Sequence, residues 1–221
     1  MLALTVLALS IGIADSVNPS TVGPALYLAT GKNAIRAVGG FLLGAAAVNL
    51  VGGLVLIYGP GQAILAVLPH PGPRVVHVLE LGLGAAAALL AVALWLARSR
   101  VEARLARTKN RPARSSVLLG AGIIAVELPT AFPYFAVIAA AVGSGRNLAE
   151  QTAVVLLFNA AFFAPLLGIL ALRGLAGARG ATVLEAWRAS FDRLGAVLMP
   201  VFVLAVAVVL LALGGLGLRA H

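Results

Sequence analysis

The sequence predicts an all-α membrane protein with six transmembrane helices, arranged as two inverted three-helix repeats, with helices 1 and 4 broken near the membrane midplane. Three observations predict this fold class. Of the 221 residues, 62% are hydrophobic and only 10% are charged, whereas about a quarter of the residues of a soluble domain are charged. A polar motif that contains proline occurs twice inside long apolar stretches, and the basic residues are concentrated in alternate loops.

Six apolar stretches are long enough to cross a bilayer, because a transmembrane helix needs about 20 mostly apolar residues. They cover residues 2–31, 37–59, 75–97, 116–144, 150–172 and 194–217. The first and fourth stretches are the longest, and each has proline and polar residues near its middle, as is typical of a broken helix. The predicted parts are a first three-helix repeat at 1–97, a basic cytoplasmic loop at 98–115 and a second, inverted three-helix repeat at 116–221.

The loop charges predict the orientation of the chain. Thirteen of the sixteen Lys and Arg residues follow the first, third and fifth stretches. Because cytoplasmic loops carry an excess of Lys and Arg, we expect these loops to be cytoplasmic and both termini to lie outside. The protein is then a multi-pass protein of the bacterial cytoplasmic (inner) membrane. Topology also accounts for the net charge of +9, so no nucleic-acid partner is predicted.

The two interrupted stretches resemble each other, which indicates an internal duplication. The segment "VNPSTVGPALY" (17–27) corresponds to "ELPTAFPYF" (127–135). One offset of 110 residues pairs Pro19 with Pro129, Ser20 with Thr130, and Asn49 with Asn159. Since each half has an odd number of spans, the second half must insert inverted. Inverted repeats are common in secondary transporters, whose substrate site lies at the repeat interface near the midplane.

The dipeptide Asn18-Pro19 is a strong signal for the start of a helix, with asparagine as N-cap and proline in the first helical position. The first helix is therefore predicted to end near Asp15 and Ser16 and to restart at Pro19. Thr21 then lies in the first turn of the new helix.

The fourth stretch is predicted to end near Glu127 and to restart at Pro129. Unpaired N–H groups at such breaks are tolerated at membrane depth only inside protein or beside a water-filled cavity. Because a helix N-terminus carries partial positive charge, the two restarts predict a site suited to an anion such as a phosphate or carboxylate.

Asp15 and Glu127 are acidic residues within apolar spans, where a charge costs about 2.5–3.5 kcal/mol on insertion scales. They either bind and release protons, pair with a cationic substrate or cap the broken helices. The alternative is that they only satisfy orphan N–H groups. Asn49 and Asn159 either line the same cavity or join two helices by a hydrogen bond.

Other features point to no further chemistry. His77 and Glu80 lie one helical turn apart, but the chain has no cysteine and few other donors nearby, so no metal site is predicted. No P-loop, hydrolase or metalloprotease motif occurs, so we expect neither an enzyme nor a cofactor. The segment 181–193 is interpreted as a short helix, either on the membrane surface or packed as a connection. The aromatic residues that follow the breaks are interpreted as ordinary packing or as walls of the cavity; they are Tyr27, Tyr134 and Phe135.

Two motifs carry a family resemblance over essentially the whole chain. "SIGIADSVNPSTVGP" and "AVELPTAFPYFAVIAA" resemble the GAP family of actinobacteria, also called sulfolipid-addressing or glycopeptidolipid-addressing proteins. The first motif is also similar to the LysE transporter superfamily. The resemblance implies export of cell-envelope lipids or delivery of glycolipids towards the surface. By motif position it implies a central site of Asp15, Asn18, Pro19, Ser20, Thr21, Glu127, Pro129, Thr130 and Pro133.

Together these observations predict a secondary membrane transporter, or flippase, for an anionic lipid or lipid-linked cell-envelope precursor, coupled to protons through Asp15 or Glu127. For such a substrate we expect a cavity that opens sideways to the bilayer. The alternatives are a LysE-type exporter of a small soluble solute, with a cavity open to water, and a non-transporting scaffold for glycolipid export. Membrane lipids are the expected partners, and a homo-oligomer or envelope-export partners are further candidates.

Overall fold

The computed structural model describes residues 1–59, 77–78, 81–82, 84–93, 95–96 and 113–220. Nearly all of these residues are helical, and no strand occurs among them. The predicted all-α class is therefore confirmed for the part of the chain that is described.

The helices follow one another with short connections. They are α1 (Leu2–Ser16), α2 (Pro19–Ala29), α3 (Ala34–Tyr58), α4 (Gly84–Ala93), α5 (Ala113–Glu127), α6 (Phe132–Gly143), α7 (Leu148–Phe162), α8 (Ala164–Leu175) and α9 (Gly177–Ala220), with a 3₁₀ turn at Leu128–Thr130 between α5 and α6.

Within the described residues, α3 is the one helix that is long and apolar enough to cross a membrane without a bend. Three bent pairs pass the same test when each pair is taken together: α1 with α2 at 61°, residues Arg114–Thr130 with α6 at 69°, and α7 with α8 at 52°. The described chain thus has one to four membrane-spanning elements by length and composition, as expected of a membrane protein. The first two bends lie at the two predicted breaks.

The remaining predicted spans are only partly described. The third, 75–97, includes residues outside the described ranges, and Glu80 is one of them. The sixth lies in α9, where Val203–Leu218 is a shorter apolar stretch. The six-span inverted repeat therefore stays a prediction.

The helices show one bend that the sequence analysis does not predict, and they correct one interpretation. The fifth predicted span, 150–172, contains α7 and α8, which meet at a bend. The reason is Pro165, which lacks the N–H that would continue the helical ladder and instead starts α8. The segment 181–193 is not a separate short helix, because it is part of the continuous α9.

The chain forms two compact units. One contains Met1–Val67 and Arg107–Arg188, and the other contains Leu68–Ala106 and Ala189–His221. In the first unit, α3 packs closely on α5 through two glycines. A Cβ on Gly44 would collide with the Val117 carbonyl, and one on Gly120 would collide with the Phe41 carbonyl. Such small residues let helix backbones approach in membrane proteins.

In the second unit, His77 lies against α9. A Cβ on Gly217 would collide with the His77 imidazole, and one on Gly214 would meet the His77 carbonyl. No group of three or more potential metal ligands occurs among the described residues. Close helix packing therefore accounts for the position of His77.

Candidate functional site

The two helix breaks meet in the first unit. Nδ2 of Asn18, in the first break, donates a hydrogen bond of 3.2 Å to Oε2 of Glu127, at the end of α5. These residues are 109 positions apart in the chain. The contact therefore joins the two segments that the sequence comparison pairs, 17–27 and 127–135.

The first break is capped as the sequence predicts. Oδ1 of Asn18 accepts hydrogen bonds from the Ser20 backbone N–H at 3.1 Å and from the Ser20 hydroxyl at 2.7 Å. The Asn18 carbonyl accepts from the N–H groups of Thr21 and Val22 and from the Thr21 hydroxyl. Because Pro19 has no N–H, the first donors of α2 are already satisfied within the motif.

The second break differs from the prediction. Pro129 lies in the 3₁₀ turn, and α6 begins at Phe132 with Pro133 in its second position. The physical reason is the missing cap: Leu128 stands where Asn18 stands in the first motif, and it has no side-chain acceptor. The Thr130 hydroxyl donates to the Glu127 carbonyl at 2.9 Å, just as the Thr21 hydroxyl donates to the Asn18 carbonyl.

A buried polar cluster lies beside the breaks. Nδ2 of Asn49 donates to Oδ1 of Asn159 at 3.1 Å, and Nδ2 of Asn159 lies 3.2 Å from the Tyr134 hydroxyl and 2.9 Å from the Val155 carbonyl. The Tyr134 hydroxyl donates to the Asn49 carbonyl at 2.9 Å. All three side chains are buried, and their mutual hydrogen bonds offset the cost of removing these polar groups from water.

A cavity of about 210 Å³ lies between the breaks and this cluster. We call it the polar cavity. Its walls are formed by Asp15, Asn18, Asn49, Ile124, Glu127, Leu128, Thr130, Ala131, Pro133, Tyr134, Phe158 and Phe162. The lining therefore includes two carboxylates, two amides and a set of stacked aromatic rings. The rings of Tyr134 and Phe158 are centred 4.6 Å apart, and those of Phe158 and Phe162 are centred 6.0 Å apart.

A second, more open space of about 590 Å³ runs along the side of α5. We call it the side groove. Its lining residues are Ser20, Ser115, Leu118, Leu119, Gly122, Ile123, Val126 and Glu127. The walls are almost entirely apolar, and Leu118 and Val126 are 70% and 79% exposed. Glu127 lines both the side groove and the polar cavity.

Residues 7–215 match the family model described as Sap, sulfolipid-1-addressing protein. The chain belongs to this sulfolipid-1-addressing family. No curated protein matches the chain, and no solved structure matches it.

In this member of the sulfolipid-1-addressing family, the twelve predicted site residues divide into three groups. The polar cavity is lined by Asp15, Asn18, Asn49, Glu127, Thr130 and Pro133. Ser20 lines the side groove. The residues that line neither space are Ser16, Pro19, Thr21, Pro129 and Asn159. Of these, Asn159 supports the cavity wall through Asn49 and Tyr134, and Thr21 supports the cap of α2.

Of the aromatic residues that line the polar cavity, sequence reasoning named Tyr134 as a possible wall and missed Phe158 and Phe162. Phe158 and Phe162 line the polar cavity, yet in the sequence they are ordinary apolar residues of the fifth span. Their spacing of four residues places them on one helical face, and Phe158 directly precedes Asn159. That spacing next to a span-embedded asparagine is the one local signal that could have identified them.

Proposed function

We propose that this protein is a secondary membrane transporter that moves a lipid, or a lipid-linked cell-envelope precursor, across the cytoplasmic membrane. The observation that carries the proposal is the position of Glu127, whose side chain belongs to both the polar cavity and the side groove. A polar space and an apolar space that share a lining residue match an amphipathic ligand. The headgroup would occupy the polar cavity, and an acyl chain would lie along the side groove.

The side groove favours a lipid over a small soluble solute. It lies on α5, which is part of a bent membrane-spanning element, and its exposed leucine and valine side chains face outward. An apolar surface of that kind is compatible with the hydrocarbon of a lipid, and it has few polar groups that could bind a water-soluble solute. Its volume falls within the range of about 300–1,000 Å³ that is usual for ligand sites.

The family membership supports the same assignment. The matching family model is named for the addressing of a sulfolipid, and a sulfolipid is an amphipathic molecule. The sequence also favours an anionic lipid and proton coupling through Asp15 or Glu127, and both are part of the proposal. The proposal also includes the predicted orientation, with the loops after the first, third and fifth stretches in the cytoplasm. It further includes the inverted arrangement of the two halves.

The proposal is tested with purified protein in liposomes. The assay follows the movement of lipids with a fluorescent acyl chain from the inner to the outer leaflet, with and without a pH gradient. We expect Glu127→Gln to abolish most of the movement, because it removes the charge where the two spaces meet while an amide oxygen can still accept from Asn18.

Glu150→Gln is the matched control. Glu150 is in an exposed ion pair with Arg146 at 3.0 Å, away from both spaces, so transport should stay unchanged. Equal transport by wild type and Glu127→Gln would contradict the proposed role of Glu127. Movement of no lipid, combined with transport of a small solute, would instead favour the soluble-solute exporter. Movement of neither would favour the scaffold.

A further inference from the structure

The C-terminal end of α2 is contacted by two arginines from other helices. Arg173, in the last turn of α8, donates from Nε to the Ala29 carbonyl at 3.2 Å and from Nη1 to the Gly177 carbonyl at 3.2 Å. Arg188, on α9, lies over the Tyr27 ring, with its guanidinium carbon 5.2 Å from the ring centre. Both guanidinium groups therefore lie at the last turn of α2, and we call this place the arginine corner.

Neither arginine has a carboxylate partner. Among the described residues, no ion pair of Arg173 or Arg188 is found. Glu185 and Asp192 lie three residues before and four residues after Arg188 on α9, a spacing at which helical ion pairs form, yet neither pairs with it. Nε of Arg188 is also closed off from solvent and has no hydrogen-bond partner. Because a guanidinium has five N–H donors and an unpaired buried donor is costly, the described chain leaves this corner without a counter-charge.

The basic residues nearest along the chain add to the positive charge. Lys32 lies in the connection after α2, Arg36 in the first turn of α3 and Arg179 in the first turn of α9, and all three are exposed. The sequence contains no Asp or Glu between Asp15 and Glu80. Since charge of one sign concentrates anions at a surface, we expect an anion to be attracted to this end of α2.

The position of the arginine corner favours a lipid over a soluble anion. Because α2 is the second half of a bent element that is long and apolar enough to cross a membrane, its end is expected at the level of the lipid headgroups. Trp187, next to Arg188 on α9, is 53% exposed, and Val183 one turn earlier is 40% exposed. Tryptophan is enriched at the membrane–water interface, and exposed apolar side chains beside it are compatible with acyl chains.

We propose that the arginine corner binds an anionic phospholipid of the surrounding membrane, whose phosphate accepts hydrogen bonds from the guanidinium groups of Arg173 and Arg188. Arginine suits this ligand because its planar N–H donors match phosphate oxygens, and basic pockets between membrane helices are known to hold anionic headgroups. Neither arginine lines the polar cavity or the side groove. The bound phospholipid is therefore a resident ligand, separate from the lipid that the proposed transporter moves.

The experiment measures binding in neutral detergent. Purified full-length protein is titrated into phosphatidylglycerol that carries a fluorescent acyl chain, and binding is followed by fluorescence anisotropy. Phosphatidylcholine with the same acyl chain is the control lipid, because its choline cation cancels the charge of the phosphate. We expect wild type to bind phosphatidylglycerol at least about tenfold more tightly, since each basic residue at a membrane surface contributes on the order of fivefold in affinity.

Arg188→Gln is the main variant. No hydrogen bond of its guanidinium is found among the described residues, so the exchange removes only the contact with the Tyr27 ring and the charge. We expect the affinity for phosphatidylglycerol to fall by about fivefold or more, and Arg173→Gln should have a similar effect. Arg179→Gln is the matched control, because it removes the same charge from an exposed position of the same helix. Its affinity should stay close to that of wild type at physiological salt, and monodisperse elution checks that each variant is folded.

Two outcomes would show that the attraction is unspecific and would overturn the proposal. They are equal binding of the two lipids by wild type, and equal weakening by Arg188→Gln and Arg179→Gln. Displacement of the lipid by millimolar inorganic phosphate would identify a site for a free anion and would overturn it as well. Because binding is measured without transport, a failure of the liposome assay would overturn the proposed function and leave this inference standing.

Discussion

Asn49 and Asn159 lie 110 residues apart in the chain, and Nδ2 of Asn49 donates a buried hydrogen bond of 3.1 Å to Oδ1 of Asn159. The same offset of 110 residues pairs them in the predicted internal duplication. Two residues that the sequence comparison pairs are therefore in contact with each other. Tyr134 closes the cluster through its own bonds to both residues.

The first prediction concerns this buried cluster. Tyr134→Phe removes the hydroxyl that donates to the Asn49 carbonyl and accepts from Nδ2 of Asn159, so one buried N–H of Asn159 is left unpaired. We expect a loss of about 1–3 kcal/mol in the free energy of unfolding, measured by denaturant titration in detergent.

Tyr58→Phe is the control for the same chemical change. The Tyr58 hydroxyl bonds to Thr152 at 2.8 Å in an exposed setting, so its loss should cost no more than about 0.5 kcal/mol. Equal destabilisation by the two variants would show that the buried cluster contributes no more to the free energy of unfolding than an exposed hydrogen bond does.

The second prediction concerns the cap of α2. Asn18→Ala removes both the acceptor for the Ser20 N–H and the donor to Glu127. We expect a stability loss of about 0.5–2 kcal/mol together with loss of lipid movement. Thermal unfolding and the liposome assay measure the two effects separately.

Asn147→Ala is the matched cap variant. Asn147 caps α7 by accepting from the Glu150 N–H at 2.9 Å, and it has no contact with the polar cavity. Its stability loss should be similar, but transport should persist in the folded protein. If Asn147→Ala abolished transport as well, the effect of Asn18→Ala would be ascribed to lost stability alone.

The third prediction concerns the side groove. Gly122 lines it, and a Cβ at Gly122 would have no neighbour within 4 Å. Gly122→Phe should therefore fold normally while its ring occupies the groove. We expect lipid movement to fall by about tenfold or more, because the ring and the acyl chain would compete for the same space. Forcing extra groups into a filled apolar space costs roughly 1–3 kcal/mol.

Gly168→Phe controls for the added ring, since a Cβ at Gly168 likewise has no neighbour within 4 Å and Gly168 lines neither space. Transport by this variant should match wild type. Undiminished transport by Gly122→Phe would count against the groove as the path of the acyl chain.

The fourth prediction concerns the crossing of α3 and α5. Gly44→Ala places a methyl group against the Val117 carbonyl, so one backbone must move. We expect a destabilisation of about 1–3 kcal/mol. Gly39→Ala in the same helix has open space and should be neutral or stabilising by up to about 1 kcal/mol. Thermal unfolding in detergent compares the pair, and similar transitions would argue against close packing at Gly44.

The sequence alone predicts the features that depend on local chemistry. Low charge and long apolar stretches identify a membrane protein, because unpaired polar and charged groups are costly in the hydrocarbon core of a bilayer. The cap at Asn18 and the restart at Pro19 follow from the residues themselves, because an asparagine side chain reaches the N–H groups of the next turn. The bend at Pro165 also has a local cause, because proline lacks the N–H that continues a helix, but the sequence analysis predicts breaks only in helices 1 and 4.

Tertiary structure decides everything that depends on which segments meet. The pairing of Asn18 with Glu127, and the position of Glu127 between two spaces of opposite polarity, need helices from both halves to come together. Local propensity carries no information about such distant contacts, because they are set by how whole helices pack.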